Sequence, residues 1–355
     1  MTSSWYGEYT RWWDQASWTF ADILSIVVVK DELPFRMAVW HGAQTLSNVF
    51  GGPLAAGILT TMDGLGGLHA WKWFLLIEGA ASILVGILGY FCLPNWADNT
   101  TWLTDEQSEM AQYRLVISAG GMDETKNKVT IWEGARLALK DPFTYLFMCM
   151  HFMLIVAQSF KDFLPTIIST LGKGKLLTYL LQSPAYLLGY FAILGFGWSA
   201  GNFKDATWHI VAPMIGSAVG TAMLIATENV GVRYTGICLL IMGVYSGLNI
   251  QVSWETSVIP SPRHKKAAVI ALANSIASAS HWFTPYFFLR NQEPLYRLGG
   301  GLILFGCGAT IATVFATRWR CNKLNRKLDA DELAENTRRE ASGQEPLEKG
   351  WRFPT

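Results

Sequence analysis

The sequence predicts an all-α, polytopic membrane protein of about eight transmembrane helices, and three observations predict it. Its 355 residues are 51% hydrophobic, 13% aromatic and only 15% charged, too apolar for an ordinary soluble domain. The apolar residues gather in blocks of about 20, the length that crosses a hydrocarbon core of ~30 Å at 1.5 Å per residue. Two blocks precede, and six follow, one long polar interval at residues 94–141. The 16 Trp and 33 Gly agree with this, since Trp favours bilayer interfaces and small residues let membrane helices approach closely.

Residues 1–35 read as an irregular or interfacial segment. Trp5, Tyr6, Tyr9, Trp12, Trp13 and Trp18 crowd it together with Glu8, Arg11 and Asp14, and its apolar run from Ile23 to Val29 is too short to cross. Residues 36–93 then hold two spans, Met37–Met62 and Trp71–Leu93. Residues 142–318 hold six more: Phe143–Ile168, Leu176–Trp198, His209–Thr227, Tyr234–Ile259, Ala267–Leu289 and Gly299–Thr317. Short links between them make neighbouring helices antiparallel. After Thr317 a basic RWRCNKLNRK stretch anchors the last helix, and residues 319–355 continue as a polar, mobile tail.

Most of the 28 Lys and Arg fall on one side of this pattern, so the positive-inside rule places the interval and the C-terminal segment in the cytoplasm. The sequon at Asn99 is then unused. Within the interval, Thr104 with Gln107 and Thr130 with Glu133 each read as a capping box that opens a helix. The second of these helices puts Ile131, Trp132, Ala135 and Leu139 on one side, as expected of a helix lying along a membrane surface.

An ordered series of short stretches resembles one family. DELPFRMAVW at 31–40, FGGPLAAGI at 50–58, WKWFLLIEG at 71–79 and the LP…WLT of 93–104 begin it. KDFLPTIISTLG at 161–172, QVSWE at 251–255 and RNQEPLYRLGG at 290–300 complete it. The chain is similar to the fungal allantoate-permease type of the major facilitator superfamily, the anion:cation symporters, over roughly residues 31–328. The resemblance implies two six-helix halves joined by a cytoplasmic loop, and proton-coupled uptake of a small organic anion or related metabolite. By this likeness the chain is a partial major-facilitator fold (2 + 6), matching helices five to twelve. The first four helices and the Asp-Arg-Gly-Arg-type loop would be missing, and GWSAGNFKDATWH near residue 200 would be the degenerate counterpart of that loop.

Charged groups at the centre of a span cost ~2.5–3.5 kcal/mol on insertion scales, so polar residues inside spans are the candidate site. Glu255 and Gln251 share a face at i, i+4 with Asn249 nearby, and suit a proton- or substrate-coupled site or a structural hydrogen-bonded cluster. His151, Gln158 and Asp162 share another face, with Lys161 beside them as a partner for a carboxylate or as a snorkelling cation. His41, Gln44 and Asn48 form a third stripe, and Asn274 with His281 a fourth. Such stripes line cavities or bind helices together. Glu78 suits proton coupling or helix packing, with Gly79 giving the close approach.

Several classes are set aside. The net charge of +1 offers no general attraction to nucleic acid, and the five Cys lack metal-like spacing. Gly197-Trp198-Ser199-Ala200-Gly201 fits a nucleophile elbow, which needs a strand before it, but here it ends an apolar helix. No cofactor is expected, and the partners expected are a small organic anion or metabolite, protons and the lipid bilayer. The location expected is a plasma membrane. Two rival readings are export of a small metabolite and a non-transporting remnant or partner of another transporter chain. The second rests on an unpaired half that would expose His151, Gln158 and Glu255.

Overall fold

The computed structural model describes residues 33–92, 104–118, 130–170, 172, 174–259, 262–342 and 350–355. The interfacial reading of residues 1–32 and the sequon at Asn99 lie outside these. Every regular element among the described residues is helical. Among the described residues six helices are long and apolar enough to cross a membrane, and they account for six of the eight expected spans.

The two expected spans that do not meet this measure are the first and the seventh. Leu33–Thr61 (α1) has 29 residues and Pro53 inside it, ample length, but Arg36, His41, Gln44 and Asn48 interrupt its apolar character. Arg263–Ser278 (α11) opens with Arg-His-Lys-Lys and has only 16 residues. It continues through 3₁₀ turns at Ala279–Trp282 and Thr284–Phe287, and Pro285 keeps that stretch from regular helix.

The other elements follow local signals. Ala70–Cys92 (α2) packs against α1. Asp105–Ser118 (α3) and Ile131–Lys140 (α4) lie in the polar interval. Both predicted capping boxes are present. Thr104 N–H donates to Gln107 Oε1 at 3.1 Å and Gln107 N–H to Thr104 Oγ1 at 3.3 Å. Thr130 and Glu133 do the same at 2.9 and 3.3 Å. Helix α4 seats Gly134 and Ala138 on α11 and leaves Ile131, Trp132 and Leu139 exposed, the face a membrane surface would take.

Pro142–Gln158 (α5) begins with Asp141 accepting from Phe143 N–H at 2.9 Å and Pro142 in its first turn. A 3₁₀ segment, Ser159–Phe163, leads into Leu164–Ser169 (α6). Lys175–Leu180 (α7) and Gln182–Phe203 (α8) form the next span, which ends at Lys204 in a left-handed conformation. Asp205 caps Ala206–Ala226 (α9). Asn229 Oδ1 accepts from Gly231 and Val232 N–H to open Val230–Val258 (α10).

Arg297–Ala341 (α12) is the largest departure from expectation. The predicted span ends near Thr317, yet the helix runs on for a total of 45 residues, about twice a hydrocarbon core at 1.5 Å per residue. Residues 318–341 lack Gly and Pro and are rich in Ala, Leu, Glu, Lys and Arg, so nothing stops the helix where its apolar stretch ends. Within the polar segment that follows, Gly350–Thr355 is bonded back onto the bundle.

Helix α10 is the centre of the assembly, packing on α1, α5, α8 and α9. A helix that is apolar all round belongs in such a place. Its contact with α9 is closest where glycines remove side chains. Gly220 faces Gly236 across the interface, and Gly243 lies against the Pro213 carbonyl and Ser217. Van der Waals packing at this range, rather than hydrophobic drive, holds helices together in lipid. Gly220, Gly243 and Gly247 are in tight contacts, whereas Gly216 meets nothing within 4 Å.

Candidate functional site

The polar residues of α10 are enclosed. Asn249 and Gln251 are fully buried and Glu255 is 2% exposed. Gln251 Nε2 donates to Glu255 Oε2 at 2.8 Å, so the i, i+4 pair forms as its spacing predicts. Both side-chain polar atoms of Asn249, together with Gln251 Oε1 and Glu255 Oε1, have no hydrogen-bond partner among the described residues. Burying an unpaired polar atom costs on the order of 1–3 kcal/mol. Four in one short stretch of helix is a large cost, of the kind found where a ligand or water supplies the missing bonds.

Contacts on either side fix the depth of this stretch. Phe147 of α5 meets the Trp254 ring edge to face at 5.7 Å, and Leu154 of α5 lies beside Gly247. The two helices therefore run antiparallel. His151, between Phe147 and Leu154, lies at the depth of Asn249–Gln251. His151 is fully buried, and His41 of α1, 7% exposed, lies within electrostatic reach of it. Asn249 also approaches Gly197 of α8, which itself packs on Pro34 and Ala38 of α1. Side chains from α1, α5 and α10 thus converge, with α8 closing the side. Glu255 is one turn farther along, close to the end of α10.

Gln158, 3% exposed, closes α5 at its far end. Beyond it the predicted common face fails. The chain tightens to a 3₁₀ segment with Pro165 following, so Asp162 turns away to pair with His281 Nδ1 at 3.1 Å. Lys161 and Asp162 both act electrostatically on Tyr186 of α8. Tyr186 is buried and stands edge to face with buried Tyr245 of α10, ring centroids 6.0 Å apart. Sequence reasoning did not select these two tyrosines, because a Tyr in an apolar block carries no distinguishing signal.

The remaining candidates are less enclosed. Gln44 and Asn48 are half-buried on α1, and Asn274 on α11 likewise. Glu78 is half-buried on α2, where Gly79 meets nothing within 4 Å, so the expected close approach is not made. The expectation that an unpaired half exposes His151, Gln158 and Glu255 is overturned, since all three are buried. Helix α1 packs against both α8 and α10 and covers that side of the bundle.

Ser199 of the decoy motif sits within α8, with its hydroxyl 2.8 Å from His209 Nε2. His209 Nδ1 is 2.6 Å from the backbone carbonyl of Asp205, while the Asp205 carboxylate caps α9 and lies 3.7 Å from Arg318. The imidazole is held by a backbone carbonyl and ties the end of α8 to the start of α9.

These features define a multi-pass, helical membrane protein with a polar centre. The family model of the Major Facilitator Superfamily matches residues 17–285, most of the chain, and the chain belongs to that superfamily. It is 30% identical over 259 residues to an uncharacterized transporter of Schizosaccharomyces pombe, covering 72% of this chain and 51% of that protein. It is 29% identical over 343 residues to the MFS-type transporter cnsO of Penicillium expansum, covering 91% and 65%. It is 23% identical over 240 residues to the major facilitator-type transporter hxnP of Emericella nidulans, covering 66% and 47%. The chain thus spans roughly half to two thirds of the length of these relatives.

Proposed function

We propose that this chain forms the greater part of a proton-coupled secondary transporter for a small organic anion or related metabolite. Its central site would be built on Asn249, Gln251 and Glu255, with His151 and His41 opposite. The observation that carries this is the run of unsatisfied, buried polar atoms on α10, the most enclosed helix of the bundle. In major-facilitator proteins such a site works by alternating access between two halves. A carboxyl that is buried in one state and wetted in another can take up and release a proton between them. Superfamily membership and relatives named as transporters support the reading. The Lys and Arg bias supports a cytoplasmic interval and C-terminal segment.

The test is proton uptake into proteoliposomes in response to candidate anions, followed with an internal pH-sensitive dye. Glu255→Gln keeps the side chain's shape and its bond to Gln251 but cannot ionise. The expected outcome is loss of anion-driven proton uptake with anion binding retained. Uptake at the unmodified rate would remove Glu255 from the mechanism.

A further inference from the structure

The segment Gly350–Thr355 lies across one end of the bundle, against several helices at once. Phe353 exchanges two hydrogen bonds with Asn325 of α12, its N–H donating to Oδ1 at 2.8 Å and its carbonyl accepting from Nδ2 at 2.9 Å. Its ring stacks on Phe143 of α5 at 5.5 Å. The Pro354 carbonyl accepts from Trp254 Nε1 of α10 at 3.0 Å. The Thr355 carbonyl accepts from Ala206 N–H at the start of α9 at 3.2 Å. Arg352 binds Asp329 at 2.8 Å and also Glu332, both on α12, and Gly350 N–H donates to Glu332 at 3.0 Å.

We infer that Gly350–Thr355 is a strap that holds the ends of α5, α9, α10 and α12 together, so that this end of the bundle opens only when the strap lets go. The argument is geometric. Each of the four helices is bound to the segment by a hydrogen bond or a ring stack. Separating α5 from α10 at this end therefore removes either the Phe353 stack on Phe143 or the Pro354 bond to Trp254. Trp254 is the neighbour of Glu255, so the strap covers the end from which the candidate carboxyl is nearest. Its attachment to α12 combines one guanidinium shared between two carboxylates with the two neutral bonds to Asn325, while its attachment to α5 and α10 is aromatic and neutral. The segment can thus swing off the bundle end while Arg352 keeps it tethered to α12.

Amide hydrogen exchange on the purified chain tests this without reference to any substrate. Phe353→Ala is expected to raise exchange in the first turn of α9 and the last two turns of α10 by roughly tenfold, while α2 is unchanged. Arg352→Glu is expected to do the same, and Arg352→Lys to stay close to the unmodified protein. Unchanged exchange at those two helix ends in Phe353→Ala, with residues 350–355 themselves exchanging freely, would overturn the strap. The link to Glu255 rests on the transport reading, but the exchange result does not. A silent Glu255→Gln variant would remove Glu255 from that reading and leave the strap standing.

Discussion

Helices α2 and α10 are both long and apolar enough to cross a bilayer, yet none of residues 71–89 in α2 is buried and every residue from 243 to 256 in α10 is. Exposed Ile83, Leu84, Val85, Ile87 and Leu88 give α2 a surface suited to lipid. Helix α10 instead encloses Asn249, Gln251 and Glu255 among four neighbours. Apolar content tells where a chain crosses, and the polar residues tell which crossing lies inside. A helix facing lipid cannot satisfy an amide or carboxyl, while a central one can share it with other helices or with cargo.

Glycine substitutions should break this comparison most sharply. Gly243→Val places a side chain into the Pro213 carbonyl and Ser217, and overpacking of this kind costs about 1–3 kcal/mol. The unfolding midpoint in detergent should fall clearly. Gly86→Val on α2 meets nothing within 4 Å and should leave the midpoint nearly unchanged. Equal effects would mean that the two helices are not packed so differently.

Polar and apolar substitutions should sharpen it next. Gln251→Ala leaves Glu255 Oε2 without the hydrogen bond it now has. Anion-driven proton uptake in proteoliposomes is expected to fall by at least about tenfold, the effect of losing one charge-assisted hydrogen bond of ~1.5–3 kcal/mol. Leu84→Ala on the lipid side should change it little.

How much of this was legible beforehand follows the range of the interactions involved. The capping boxes at Thr104 and Thr130 are contacts three residues apart, and both form as the sequence suggests. The Gln251–Glu255 bond spans four residues and forms too. The strap does not announce itself, because Trp254 and Pro354 are 100 residues apart and nothing in RFPT signals a partner. The turn of Asp162 toward His281 was hidden for a related reason. A face drawn at 3.6 residues per turn holds only while the helix does, and α5 ends at Gln158. The length of α12 escaped because a helix stops for lack of helix formers, not where the bilayer stops.

The smallest effect lies in the polar interval. The Thr130 N–H and hydroxyl both bind the Glu133 carboxylate and hold its pKa below the ordinary value of 4.5. A carboxyl depressed in the folded state contributes stability above its unfolded pKa, and that contribution is lost as pH falls through the folded value. Protection of the amides in the first turn of α4, taken relative to their intrinsic exchange rate at each pH, should therefore be high at neutral pH and fall as pH drops through the depressed pKa of Glu133. Thr130→Ala should remove the difference, with no change in α10.

The most direct test of the central claim is water access to α10 in the membrane. Single cysteines at positions 249 and 251, and at 83 and 84 for comparison, would be introduced into a background with the native cysteines replaced and treated with a membrane-impermeant maleimide. The account predicts labelling at 249 and 251 as the site opens in turn to each side, and none at 83 and 84 within the lipid. Silence at 249 and 251, equal to that at 83 and 84, would show that α10 is buried for packing alone and would contradict the account.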